Sequence, residues 1–162
     1  MRFPRSFVTF AAALWLASGT VAAQPIGAGD QPIHDAARIG SGKDVSTILK
    51  AQPAARDART PQGSTPLHLA ATNPDLTALK ALLAAGADPN ARDADGATPL
   101  HMAAYTQNAK HAQLLLEAGA DPMAKTNAGR DPTSMARKAM ANEAAGVISL
   151  WILKGCQPGR PC

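Results

Sequence analysis

The sequence predicts an all-α protein, a solenoid of about four stacked helix-turn-helix units joined by finger loops. Three observations carry this expectation. The phrase Thr65-Pro66-Leu67-His68 returns as Thr98-Pro99-Leu100-His101, more faintly as Gln31-Pro32-Ile33-His34, and in eroded form as Asp131-Pro132-Thr133-Ser134, a pitch of 33 to 34 residues. A fixed period of this length means one small supersecondary unit stacked on copies of itself. Within each period, apolar residues recur at helical spacing along two short runs, and glycine and Asx residues punctuate the ends of those runs.

Ahead of the repeats, Arg2 and Arg5 precede an apolar run from Phe7 to Ala17, followed by Val21-Ala22-Ala23 and then Gln24-Pro25. These are the three zones of a secretory leader, so residues 1–23 are predicted to be a signal peptide and 24–30 a short linker. The apolar run is about a dozen residues, against the ~20 that span a bilayer. Cleavage is therefore expected rather than membrane insertion, and the short Ala-rich leader points to a bacterial protein that is periplasmic or secreted.

The first unit, 31–64, places Ile33, Ala36 and Ala37 on one helix face and Val45, Ile48 and Leu49 on another. The second, 65–97, repeats this with Leu67, Ala70 and Ala71, then Leu76, Leu79, Leu82 and Leu83. The third, 98–130, does so with Leu100, Ala103 and Ala104, then Ala109, Ala112, Leu115 and Leu116. In the fourth, 131–155, Arg137 stands in the slot of the second alanine, and Asn142 and Ser149 replace apolar residues, as a terminal unit facing water requires. Its run Asn142 to Lys154 is longer and more apolar than the other second helices. It is expected to cap the stack, whereas an exposed Trp151 would mark a docking patch.

Element ends are specified by chemistry. Thr65-Pro66, Thr98-Pro99 and Asp131-Pro132 pair a capping oxygen with a proline whose φ is preset and which has no amide to leave unpaired. Gly86 and Gly119 follow the second helices, where a left-handed cap is expected. Asp93-Ala94-Asp95-Gly96 and Thr126-Asn127-Ala128-Gly129 carry tight-turn chemistry and are predicted to form the fingers. Unit one has an extra residue, assigned to the neighbourhood of Gln62-Gly63, and its second helix is expected to end irregularly at Ala51-Gln52-Pro53-Ala54.

Charge excludes one class of partner. The 16 basic residues fall to 14 without Arg2 and Arg5, against 12 acidic, a balance of +2, and no basic stripe with interleaved aromatics is present. Nucleic-acid binding lacks its electrostatic basis. The only cysteines, Cys156 and Cys162, lie in the tail 156–162, where an even local pair in an oxidising compartment favours a disulfide clasp over a redox pair or a metal site.

At its repeated phrases the chain resembles the ankyrin-repeat family. Thr-Pro-Leu-His-x-Ala-Ala is intact at Thr65 to Ala71 and at Thr98 to Ala104, and Gly-Ala-Asp-x-Asn-Ala is intact at Gly86 to Ala91. Pro74 and Gln107 occupy the family's glycine slot between helices, and Met123 replaces the finger asparagine, so those loops are expected to differ in shape. The resemblance implies that His34, His68 and His101 brace the turns by hydrogen bonds. It also implies that a partner sits in the concave groove formed by the fingers and first helices. Its slots map here to Arg38, to Gln62, Ser64, Leu69, Thr72 and Asn73, to Asp95, Ala97, Met102, Tyr105 and Thr106, and to Asn127, Arg130, Met135 and Lys138. Tyr105, the only tyrosine, is the foremost candidate because an aromatic ring offers a large contact area at little rotamer cost.

Other chemistry finds no foothold. The three repeated histidines fall in successive units, roughly 10 Å apart, too far for one ion, and no metal is expected. His111 is expected at the surface of a second helix. Gly40-Ser41-Gly42-Lys43 resembles the end of a phosphate loop but has Ala37 where that motif needs glycine and Asp44 where it needs Ser or Thr. No nucleophile elbow or zinc-protease motif occurs, so the expected function is that of a non-enzymatic, cofactor-free monomer that binds a protein. By analogy with bacterial periplasmic relatives, the partner is an envelope protein to be protected or a delivered toxin to be blocked. The alternative is a structural or stress-related envelope protein that binds through its C-terminal cap.

Overall fold

The computed structural model describes residues 29–159. The predicted leader, most of the linker, and Cys162 lie outside the described residues. Among those described, the chain is all-helical: α1 Pro32–Ile39, α2 Gly42–Ala51, a 3-10 turn Pro53–Asp57, α3 Pro66–Ala70, α4 Leu76–Ala84, α5 Pro99–Tyr105, α6 Ala109–Glu117, α7 Pro132–Lys138 and α8 Asn142–Lys154. First helices stack as α1, α3, α5, α7 and second helices as α2, α4, α6, α8. In every unit the second helix begins ten residues after the first.

The core is what the period predicts. Ile33, Leu67 and Leu100 occupy one slot in successive units and are fully buried, as are Leu79, Leu82, Leu115 and Leu116. Each such side chain contributes roughly 1.5–3 kcal/mol by leaving water. The paired alanines that follow each large residue, Ala36-Ala37, Ala70-Ala71 and Ala103-Ala104, are buried with it. In unit four the slot holds Thr133, whose buried Oγ1 has no hydrogen-bond partner, while Arg137 is exposed where the other units bury Ala37, Ala71 and Ala104.

The helix starts combine the cap with a bridge to later chain. His68 Nδ1 accepts from the Thr65 N–H at 3.1 Å and lies 2.8 Å from Thr65 Oγ1, while Nε2 lies 3.1 Å from the Ala97 carbonyl. A carbonyl only accepts, so Nε2 carries the proton and the ring is neutral. His101 repeats this with Thr98 and the Arg130 carbonyl, and His34 with the Gln31 N–H and the Ala58 carbonyl. In unit four Ser134 stands in the histidine slot, and there Asp131 caps α7 by accepting the Ser134 N–H at 2.7 Å.

Several expectations need correction. Second helices start at a constant offset, and the turns Thr60, Asp93 and Thr126 are spaced by 33, so the extra residue of unit one lies between Gly42 and Thr60, in the longer α2 and the 3-10 turn, not at Gln62-Gly63. His111 is not a surface residue. It is only 4% exposed, in the same register as buried Ala78 and Ala144, with Nε2 unpartnered. Trp151 is 7% exposed and packs into the core, so it caps the stack and offers no docking indole. The tail is not free of the repeats either, because the Gly159 N–H donates to the Glu117 carbonyl of unit three at 3.2 Å.

The phosphate-loop resemblance has a packing explanation. Gly42 opens α2, its N–H donates to Thr77 Oγ1 at 2.8 Å, and a Cβ there would lie 2.5 Å from the Thr77 carbonyl oxygen. Only glycine lets α2 approach α4 this closely. In the slot between helices, Gln107 and Met140 adopt φ of 64° and 57°, the left-handed region that favours glycine. Pro74 cannot follow them there, so the unit-two loop takes its own course.

Candidate functional site: a cleft between fingers and first helices

The fingers are tied to one another by main-chain and side-chain bonds at the repeat pitch. The Ala94 N–H donates to the Gln62 carbonyl at 3.0 Å, and the Asn127 N–H to the Asp95 carbonyl at 2.9 Å. Arg59 Nη1 reaches the Arg92 carbonyl at 2.7 Å, and Arg92 Nη2 reaches the Lys125 carbonyl at 2.5 Å. Within each turn a short side chain holds the backbone: Thr60 Oγ1 accepts from Ser64 N–H, Asp93 Oδ1 from Ala97 N–H, and Thr126 Oγ1 from Arg130 N–H. A surface ordered in this way loses little entropy when a partner binds.

Between the last two fingers and helices α5 and α7 lies a cleft of about 330 Å³. Met102 and Met135 form its floor with Ala97, and Asp95, Asn127 and Arg130 stand on its walls. Six positions assigned to the groove from sequence thus meet in one concavity. Asp93, Thr126 and Ala128 also line it and were not assigned, although their turn chemistry is legible at the 33-residue pitch. The Arg130 carbonyl belongs to His101 Nε2, and burial pushes that imidazole below its ordinary value.

The other candidates lie outside this cleft. Tyr105, 60% exposed, is on α5. Leu69 and Thr72 are half-buried on α3 and just past it, with the Thr72 hydroxyl donating to the Leu69 carbonyl at 2.7 Å. Thr106 is half-buried and donates to the Met102 carbonyl at 2.9 Å. Gln62 and Lys138 are exposed and Ser64 is half-buried. Arg38 is ion-paired, at 2.6 Å from Asp30 and 3.7 Å from Asp35.

Asn73 does not face a partner. It is 2% exposed, its amide donates to the Ala37 and Gly40 carbonyls at 3.0 and 2.9 Å, and its Oδ1 accepts the Asp75 N–H at 2.8 Å. It ties unit two to the end of α1, and Asn108 does the same to the Ala71 carbonyl at 3.1 Å. Asn127 has a divided role, since its Nδ2 donates to the Ala94 carbonyl at 3.0 Å while the residue lines the cleft. Asn90 is a brace missed in sequence, donating to the Gly119 carbonyl at 2.9 Å and accepting the Asp121 N–H at 2.8 Å. Met123, in the equivalent slot of the next unit, is exposed.

Both ring nitrogens of His34, His68 and His101 are used in these protein hydrogen bonds, which is the bracing role the resemblance implies. No cluster of metal-ligating side chains occurs among the described residues, and no helix among them is long and apolar enough to cross a membrane.

A stack of helix pairs with hydrogen-bonded fingers over a lateral cleft defines a repeat-type binding scaffold. The chain belongs to the ankyrin-repeat family: a model of ankyrin repeats in three copies matches residues 28–126, more than half of the sequence. The match ends before α7 and α8, which pack on α5 and α6 as a fourth pair. Ankyrin repeats are protein-binding modules and the family is typically non-enzymatic. No curated protein matches the sequence.

Proposed function

We propose that the protein is a non-enzymatic, exported binding module that holds a folded envelope protein against the fingers and first helices, protecting or inhibiting it. The observation that carries this reading is the cleft itself, with an apolar floor at Met102 and Met135, charged walls, and the exposed Tyr105 on the same first helix as Met102. An exposed aromatic ring on the same helix as a concave, partly apolar floor, on a hydrogen-bonded surface, is the composition of a protein-binding patch. Export rests on the zonal pattern of residues 1–23 and places the partner in the periplasm or outside the cell.

The test is capture from periplasmic extract with the wild-type protein and with a Tyr105→Ala, Arg130→Glu variant. The reading expects one dominant protein to be retained by the wild type and lost by the variant. Equal recovery by both would remove the groove from consideration.

One observation favours a second reading, binding through the C-terminal cap. Leu150 is exposed at the register where other second helices carry Lys50, Ala84 and Glu117, and Leu153 is exposed one turn further. A Leu150→Glu, Leu153→Lys variant separates the two readings, because the groove reading expects it to capture the same partner as the wild type.

A further inference from the structure

We infer that the cleft between the last two fingers receives an extended segment of the partner in which an apolar residue is flanked by one basic and one acidic side chain. This rests on the groove reading and goes beyond it by naming the chemistry of the occupant. The reason lies in two charges that line one cleft without pairing. Asp95 and Arg130 line one cleft, both are exposed, and neither forms an ion pair among the described residues, with each other or with any other group.

Their backbones are pinned. The Asp95 N–H donates to Asp93 Oδ1 at 3.0 Å and its carbonyl accepts from Asn127. The Arg130 N–H donates to Thr126 Oγ1 at 3.2 Å and its carbonyl accepts from His101. These bonds fix the two backbones, and so the points from which the side chains reach into the cleft. An anion and a cation are thus presented from held backbones, neither within ion-pair distance of a counter-charge.

Between them, Met102 and Met135 sit at one register on α5 and α7, half-buried, so their thioethers form a shared adaptable floor. The volume is at the lower end of ligand pockets, about 300–1,000 Å³, and suits a short stretch of chain rather than a whole domain surface. Asp93, the third charged group of the lining, has its Oδ1 taken up by the Asp95 and Ala97 N–H groups, so a segment of one sign would meet repulsion at either Asp95 or Arg130. A segment with base, apolar residue and acid in sequence satisfies both walls and the floor, and charge of this kind sets specificity and orientation more than raw affinity.

The test uses labelled synthetic peptides and fluorescence anisotropy with the full mature chain. The probes are Gly-Lys-Gly-Leu-Gly-Glu-Gly, its reverse order, and versions with two lysines, two glutamates or no charge. One mixed-charge order is expected to bind at least about tenfold more tightly than the single-sign peptides. An Asp95→Arg, Arg130→Asp exchange is expected to prefer the opposite order, and Asp95→Asn with Arg130→Gln to lose the preference, each folded as judged by an unchanged melting curve. Affinities within about twofold across the charge series, no binding up to about 1 mM, or an unchanged order preference in the exchange variant would overturn the inference. If Tyr105→Ala abolishes partner capture while the exchange variant retains it, this inference falls and the groove reading stands.

Discussion

His68 Nε2 donates to the carbonyl of Ala97, 3.1 Å away and 29 residues on, while the same ring receives the Thr65 N–H at its other nitrogen. One neutral imidazole thus closes the start of a helix and fastens it to the end of the following finger. Protonating Nδ1 would set two donors against each other inside the stack.

The consequence is acid sensitivity with a definite sign. Burial pushes His68, His101 and His111 below the ordinary value of 6.5, with neighbouring backbone carbonyls pulling the other way. As the pH falls below 6.5 the unfolded chain takes up these protons before the folded one. The stabilisation is whole above that value and is lost as the pH falls from it through the lowered folded-state values. Asp44 and Asp75 are held below 3.8 by Ser41 and Thr77, so their contributions disappear only in stronger acid. Urea midpoints should drop from about pH 7.5 to about pH 5. His68→Ala should cost roughly 2–4 kcal/mol at neutral pH and show a shallower drop.

Gln107 and Met140 carry left-handed backbone without being glycine, at φ of 64° and 57°. Removing the β-carbon relieves that conformation at little loss of packing, since both side chains are exposed, and Gln107 gives up only a 3.3 Å bond from its Nε2 to the Ala139 carbonyl. Gln107→Gly and Met140→Gly should each stabilise by about 0.5–1 kcal/mol, as read from the shift in urea midpoint at constant slope.

Asn73 is a brace between units. Asn73→Ala leaves the Ala37 and Gly40 carbonyls and the Asp75 N–H without their partner, and should cost about 2–3 kcal/mol. At a temperature where the variant is folded, partner capture should match the wild type. Thermal melts and pull-downs on the same preparation measure both effects.

The fold was legible because its determinants are local and recur. Thr65-Pro66 and Thr98-Pro99 announce helix starts, Gly86 and Gly119 their ends, with φ of 79° and 100°, and the apolar slots repeat in register. What escaped notice were contacts whose partners lie a full unit away. Arg59 and Arg92 bond to carbonyls 33 residues on, and Gly42 yields to Thr77 across two helices, so neither is visible within one period. Asn73 and Asn108 left a faint trace, an asparagine just past the paired alanines. The burial of His111 was legible in the period, because it shares its register with Ala78 and Ala144. The candidate site was legible where the family slots coincide with the cleft, at Asp95, Met102, Arg130 and Met135. It was not legible at Asn73, where the polar side chain ties one unit to the next.

The proposed Cys156–Cys162 clasp adds to a tail already docked by Gly159 on Glu117. Thiol titration of the oxidised mature protein should find no free thiol. A Cys156→Ser, Cys162→Ser variant should lose at most about 2 kcal/mol, because the closed loop is short.

The central claim is that the finger side of the first helices is the partner surface. Its most direct test places a photo-crosslinking amino acid at Tyr105 in one preparation and at exposed Ala84 on second helix α4 in another, followed by irradiation in periplasmic extract. The account predicts a single crosslinked species from position 105 and none from position 84. The same species from 84, with none from 105, would contradict it.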